Sequence, residues 1–113
     1  MAIDRRKQFT KQPSEKIPID IDFGREIPPG ANEIVSATAS AVKWPRRQPT
    51  NKTPATVEIL LSAIPVIVGV SKVKARIMVI GGTNDYEYQI TVNVFWNNGA
   101  ELEDEVYVRV REE

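Results

Sequence analysis

Ile17, Ile19, Ile21 and Phe23 alternate with Pro18, Asp20 and Asp22. A period of two with one polar face predicts a half-buried strand over 17–23. Pro18 has no N–H to give to a ladder, so this strand belongs at a sheet edge or begins there. Gly24 and the Pro28-Pro29-Gly30 cluster end it in turns. The alanines of Glu33–Trp44 would suit a helix, but the segment also alternates. Ile34, Ser36, Thr38, Ser40 and Val42 form one face, and Val35, Ala37, Ala39 and Ala41 form the other. A strand is the preferred reading, with the second, smaller face packed inward.

Residues 45–55 (PRRQPTNKTPA) are too rich in proline for a helix or a central strand and read as an exposed loop. Thr56–Ser62 reads as a short strand, Pro65 as a turn or kink. From Ser71 to Ile80, Val73, Ala75, Ile77 and Val79 alternate with Lys72, Lys74, Arg76 and Met78. Gly81–Asp85 is a turn. Beyond it Tyr86, Tyr88, Ile90, Val92, Val94 and Trp96 share a face, and Leu102, Val106, Val108 and Val110 follow after Asn97-Asn98-Gly99. A two-residue Asn98-Gly99 turn would set Ile90 opposite Tyr107 and put Val106 and Val108 on the wrong face. A three-residue loop pairs Val94 with Leu102, Ile90 with Val106 and Tyr88 with Val108, with Gly99 as the left-handed residue. Six or seven short strands, with turns about every 8–12 residues and no βαβ alternation, predict an all-β two-sheet antiparallel sandwich. Its expected core includes Ile19, Ile21, Val73, Ile77, Ile90, Val92, Val106 and Val108.

Composition narrows the chemistry. The 113 residues fit one domain and contain neither His nor Cys. That excludes Ser-His-Asp and Cys-His nucleophile systems and the ordinary zinc, haem and iron–sulfur sites. Fifteen basic side chains balance fifteen acidic ones, so no global charge draws the chain to nucleic acid or to an anionic membrane. The longest apolar stretch, Ile59–Val70, is broken by Ser62, Pro65 and Gly69 and is too short to span a bilayer as a helix. The N-terminus shows no apolar signal-peptide core, so synthesis in the cytoplasm is expected.

Several constellations admit a chemical reading beside a plainer one. Asp20 and Asp22 project from one strand face, where paired carboxylates do acid–base work or bind calcium, but a solvated face is the simpler role. Strand alternation splits the acidic run Glu101, Glu103, Asp104 and Glu105 between two faces, so it is read as edge charge. Gly81-Gly82-Thr83 lacks phosphate-loop spacing and a following helix, and is read as a structural corner. Trp44-Pro45-Arg46-Arg47 joins an aromatic to cations, as a base-stacking surface would, but Trp44 also suits a core cap. Tyr88, two residues before inward Ile90, is placed to hydrogen-bond back across its corner, a sandwich hallmark. No catalytic residue, cofactor site or metal site is expected.

Two segments carry a resemblance. One is Phe9-Thr10-Lys11-Gln12-Pro13-Ser14-Glu15 with the Ile17–Phe23 strand and the following GREIPPG. The other runs from Lys72 through the Gly-Gly-Thr turn, Tyr88-x-Ile90-Thr91 and Gly99 to the acidic last strand. Together they resemble small phage and prophage proteins encoded among virion morphogenesis genes, in which a Lys/Asp-Pro arm leads into an IDF/DW strand. The match covers most of the chain except 45–70, and the usual Thr-Ser-Gly hairpin is here Trp96-Asn97-Asn98-Gly99. The resemblance implies an immunoglobulin-like sandwich of the head–tail neck or tail-adaptor region, located in the virion, with no catalytic residues. Expected partners are further copies of the chain and neighbouring portal, neck or tail proteins. Membrane, nucleic acid and small-molecule substrate are not expected. The alternatives are a recognition module on the virion surface (capsid decoration, or host-glycan or receptor binding) and a carboxylate-based hydrolase.

Residues 1–16 read as an extended basic arm and 17–113 as the sandwich. The arm carries five basic and two acidic side chains, while residues 100–113 carry two basic and six acidic ones. Zero net charge thus hides opposite ends, which suits head-to-tail contacts. The expectation is an arm mobile in the free protein that orders on a neighbour's acidic strand. Arg5, Arg6, Lys7, Phe9 and Lys11 of the arm, with Trp44, Arg46 and Arg47, are the candidate assembly contacts. Gly81, Gly82, Tyr88 and Gly99 are the candidate turn and corner residues.

Overall fold

The computed structural model describes residues 7–112. In order come β1 (Lys7–Lys11), β2 (Ile17–Asp22), β3 (Ile34–Pro45), β4 (Thr53–Pro54), the helical turn α1 (Thr56–Ile59), β5 (Val66–Val68), β6 (Lys74–Val79), β7 (Tyr86–Trp96) and β8 (Glu101–Val110). They form two sheets, one ordered β1-β8-β7-β3-β4 and one ordered β2-β6-β5. β1 runs parallel to β8, and the other pairings are antiparallel. The apolar faces of both sheets contribute to one buried cluster, giving a sandwich-like all-β arrangement.

The β7–β8 hairpin has the expected register, with Val94 opposite Leu102, Ile90 opposite Val106 and Tyr88 opposite Val108. The Gly99 N–H donates to the Trp96 carbonyl at 2.9 Å, closing the turn, and Gly99 sits at φ +90°. Ile19, Ile21, Ile77, Ile90, Val92, Val106 and Val108 are buried, whereas Val73, just before β6, is half-buried.

Four local expectations are corrected. Residues 56–62 are not a strand. Val57 faces water and Ile59 the core, and the Ile59 N–H reaches back to the Ala55 carbonyl in a single helical turn. β5 follows within the apolar stretch where only a turn was expected. On β3, Ala37, Ala39 and Ala41 do face inward, but a register shift between Ile34 and Ser36 buries Ile34 and leaves Val35 exposed. An extra residue in one strand inverts the faces beyond it, which strict alternation cannot anticipate. Finally, residues 7–11 are not a separate arm. They are an edge strand on β8 of the same chain, with Lys7 opposite Val106 and Lys11 opposite Val110. The acidic strand that was to receive a neighbour's arm already holds part of its own. Residues 1–6 of the expected arm lie outside the described residues.

Candidate assembly surfaces

One end of the molecule is fixed by a polar knot. The turn after β6 runs through Gly81 and Gly82 at φ +52° and +95°. It brings Thr83 over β7, where its N–H donates to the Tyr88 hydroxyl at 2.8 Å. Tyr88 thus bonds back across its corner. Its hydroxyl donates to Glu58 of α1, which also accepts from Thr83 Oγ1 at 2.9 Å and from Lys43 Nζ at 2.7 Å. Burial works against the charge on Glu58, but the donors Lys43, Tyr88 and Thr83 together outweigh it and hold the carboxyl below its usual range. Burial, and then the neighbouring carboxylate, push the Tyr88 phenol up to about 12. Held between the Thr83 N–H and the Glu58 carboxylate, the Tyr88 hydroxyl ties the glycine corner to α1.

Lys11 lies beside this knot. It is 2% exposed, and its Nζ donates to the carbonyls of Gln12 at 2.6 Å and Gly81 at 2.5 Å. Burial lowers its pKa, partly offset by Glu15. Lys11 therefore anchors β1 to the glycine turn and is not an exposed assembly contact, which corrects that expectation. The cause is register: Lys11 sits opposite inward Val110. Lys7 begins β1, Phe9 sits on it at 37% exposure, and Arg5 and Arg6 lie outside the described residues.

Trp44, read both as a candidate assembly contact and as a core cap, is covered, as the cap reading expects. It is 8% exposed, and the Lys52 ammonium lies 5.1 Å from its ring centre. It stands outside the central cluster, where the 46–52 loop returns. Arg46 and Arg47 remain exposed. With Tyr86 and Asp85 they line an open cleft of about 480 Å³.

Asp20, Asp22 and Glu105 are engaged locally. Asp20 forms a two-point pair with Arg76 at 2.7 and 3.1 Å, and that bond depresses its pKa. Asp22 accepts the Gly24 N–H, and Glu105 accepts from Gln89 and Tyr107. Among the described residues no group of three or more His, Cys, Asp or Glu side chains gathers as a metal site, and no helix is long and apolar enough to cross a membrane.

Sequence reasoning missed an apolar surface. Leu61, Ile64 and Val66 are 57%, 70% and 61% exposed. They line a groove of about 190 Å³ beside Met78 of β6. The signal was present: Ile59–Ser71 contains no charged residue, in a chain in which charged residues make up 27%. No family model and no curated protein matches the chain.

Proposed function

We propose that the chain is a non-enzymatic bacteriophage virion structural protein that contributes to head–tail neck or tail-adaptor assembly. The observation carrying the assembly part of this reading is the apolar surface formed by Leu61, Ile64 and Val66 along a sheet margin. Side chains of this size clustered in water mark a protein contact.

The phage setting rests on the resemblance. Its matching positions occupy coherent places: the Gly-Gly-Thr turn with Tyr88 at one end, Gly99 in the hairpin at the other, and the acidic last strand paired with the Phe9–Lys11 segment. The strand order supports an immunoglobulin-like type. Taken in chain order as A′, B, C, C′, D, E, F and G, the two sheets read A′GFCC′ and BED. Tyr88 near the start of the F-like strand occupies the tyrosine-corner position. In this reading Arg46 and Arg47 contact another virion protein.

Surface recognition of a host glycan or receptor is the second reading, favoured by the cleft between Arg46, Arg47 and Tyr86. The readings separate by experiment. Particles made by the encoding phage or prophage are purified on a density gradient and analysed by mass spectrometry. The structural reading expects the chain at fixed stoichiometry in every preparation. A chain left wholly in the soluble lysate overturns it. Specific signals on a glycan array, abolished by Arg46→Ala with Arg47→Ala, would favour recognition.

A further inference from the structure

The two sheets have four edge strands: β1, β4, β2 and β5. Edge strands offer unpaired backbone groups to other chains, and proteins guard them with charge or proline. β1 carries Lys7 and Lys11, β4 contains Pro54, and β2 contains Pro18, Asp20 and Asp22. β5 is Val66-Ile67-Val68, between Pro65 and Gly69, with no charge from Ile59 to Ser71. It alone of the four carries neither device within the strand. Leu61 extends this margin, since its N–H donates to the Met78 carbonyl of β6 at 3.0 Å.

We infer that β5 pairs antiparallel with β5 of a second copy of this chain, about a two-fold axis at Ile67, joining the two three-stranded sheets into one. The inference deepens the assembly reading and rests on it.

Charge selects a second copy as the occupant. Val66 lies opposite Arg76 and Val68 opposite Lys74 on β6, and these pair in turn with Asp20 and Asp22 on β2. Each row across the outer face therefore runs carboxylate, cation, valine. A two-fold axis at Ile67 sets Val66 against the second copy's Val68, so the joined row reads Asp, Arg, Val, Val, Lys, Asp. The Val66–Val68 seam itself is apolar, with Arg76 beside it in the groove. The cations of the two copies stand three strand spacings apart, about 14 Å. That exceeds the screening length of about 8 Å at physiological salt, and Asp20 already partners Arg76. A strand with charges on its outer face would find no opposite charge across this seam, where only Val66 and Val68 stand. Three residues and a shallow groove bury less than a standard interface, so the free dimer is weak and strengthens when many copies are held together.

Sedimentation velocity over about 10 µM to 1 mM, the range suited to an interface below standard size, tests this. The wild-type chain is expected to pass from monomer to dimer across that range. Val66→Lys, which alters an exposed side chain and puts like charges at the seam, is expected to remain monomeric with an unchanged circular dichroism spectrum. Val57→Lys, on exposed α1, should dimerise as wild type does. Because the chain has no cysteine, Val66→Cys with Val68→Cys reports position: mild oxidation should give a covalent dimer. A wild-type chain monomeric throughout, or a Val66→Lys variant that still dimerises, overturns the inference. So does a monomeric chain whose incorporation into particles is lost with Val66→Lys, which would assign the edge to a different protein. None of these results decides whether the wild-type chain is in particles, so the assembly reading is judged separately by co-purification.

Discussion

The Tyr88 hydroxyl donates to the Glu58 carboxylate, joining the start of β7 to the helical turn that precedes β5. The same hydroxyl accepts the Thr83 N–H. One phenol oxygen therefore holds the glycine corner, α1 and the large sheet together. Tyr88→Phe keeps the ring in the core but leaves the Thr83 N–H and the Glu58 carboxylate each short of a partner. The expected cost is about 1–2 kcal/mol, measured by urea unfolding. A loss well under 0.5 kcal/mol would mean that water replaces the hydroxyl without penalty.

The same pair sets a pH signature. The native Tyr88 phenol is pushed up to about 12, above its ordinary value of 10.0, so the native state holds the proton that the unfolded chain releases first. Stability from this group is full below about pH 10 and is lost as pH rises through about 12. Glu58 acts in the opposite sense. Its native pKa lies below the ordinary 4.5, so its contribution is present above that value and is lost as pH falls through the native one. Thermal melts from pH 9 to 12 should show wild type falling more steeply than Tyr88→Phe. Parallel profiles would contradict the assignment.

Two glycine substitutions should differ for a steric reason. Gly99 sits at φ +90° with nothing within 4 Å of an added Cβ, so Gly99→Val costs backbone strain alone, about 1–3 kcal/mol. Gly82, at φ +95°, would place a Cβ 2.7 Å from Val110 Cγ2. Gly82→Val adds that collision to the strain and should be the more damaging of the two in denaturant titrations. Equal losses would mean that the corner yields as freely as the hairpin.

Ile90 is fully buried opposite Val106. Ile90→Ala should cost about 2–5 kcal/mol, from lost transfer energy and the cavity left behind. Chemical denaturation measures it, and a loss under about 1 kcal/mol would place Ile90 outside a packed core.

Lys11 should govern how β1 is held. Lys11→Ala removes the donor to the Gly81 and Gln12 carbonyls while leaving the β7–β8 hairpin intact. Amide hydrogen exchange is expected to quicken over residues 8–11 and to stay unchanged at Ile90 and Val92. Unaltered exchange in β1 would show that backbone pairing with β8 suffices.

What the sequence disclosed depended on how local the controlling interaction was. The hairpin was legible because only one loop length puts Val106, Val108 and Ile90 on one face, and β2 and β6 because each alternates against charge. α1 was not, because Thr56–Ile59 contains the β-branched residues of a strand, and the side chains that favour its helical turn lie elsewhere. Thr56 Oγ1 accepts the Ala41 N–H, and Glu58 meets Tyr88 and Lys43. β1 was hidden for the same reason. KQFTK carries no pattern of its own, and its partner β8 stands at the other end of the chain. Lys11 looked exposed by residue type, and only tertiary register shows what covers it. The apolar margin at Leu61–Val66 was present as an uncharged run, but its exposure depends on β5 being an edge.

The central claim is that this sandwich-like chain is a building block of a virion, and a cryo-electron microscopy map of the intact particle tests it most directly. The account predicts density for the two sheets in several copies around the head–tail neck or tail-adaptor region, with β5 margins or the 46–47 loop against neighbouring protein. Well-resolved particles in which no density fits the chain would contradict it.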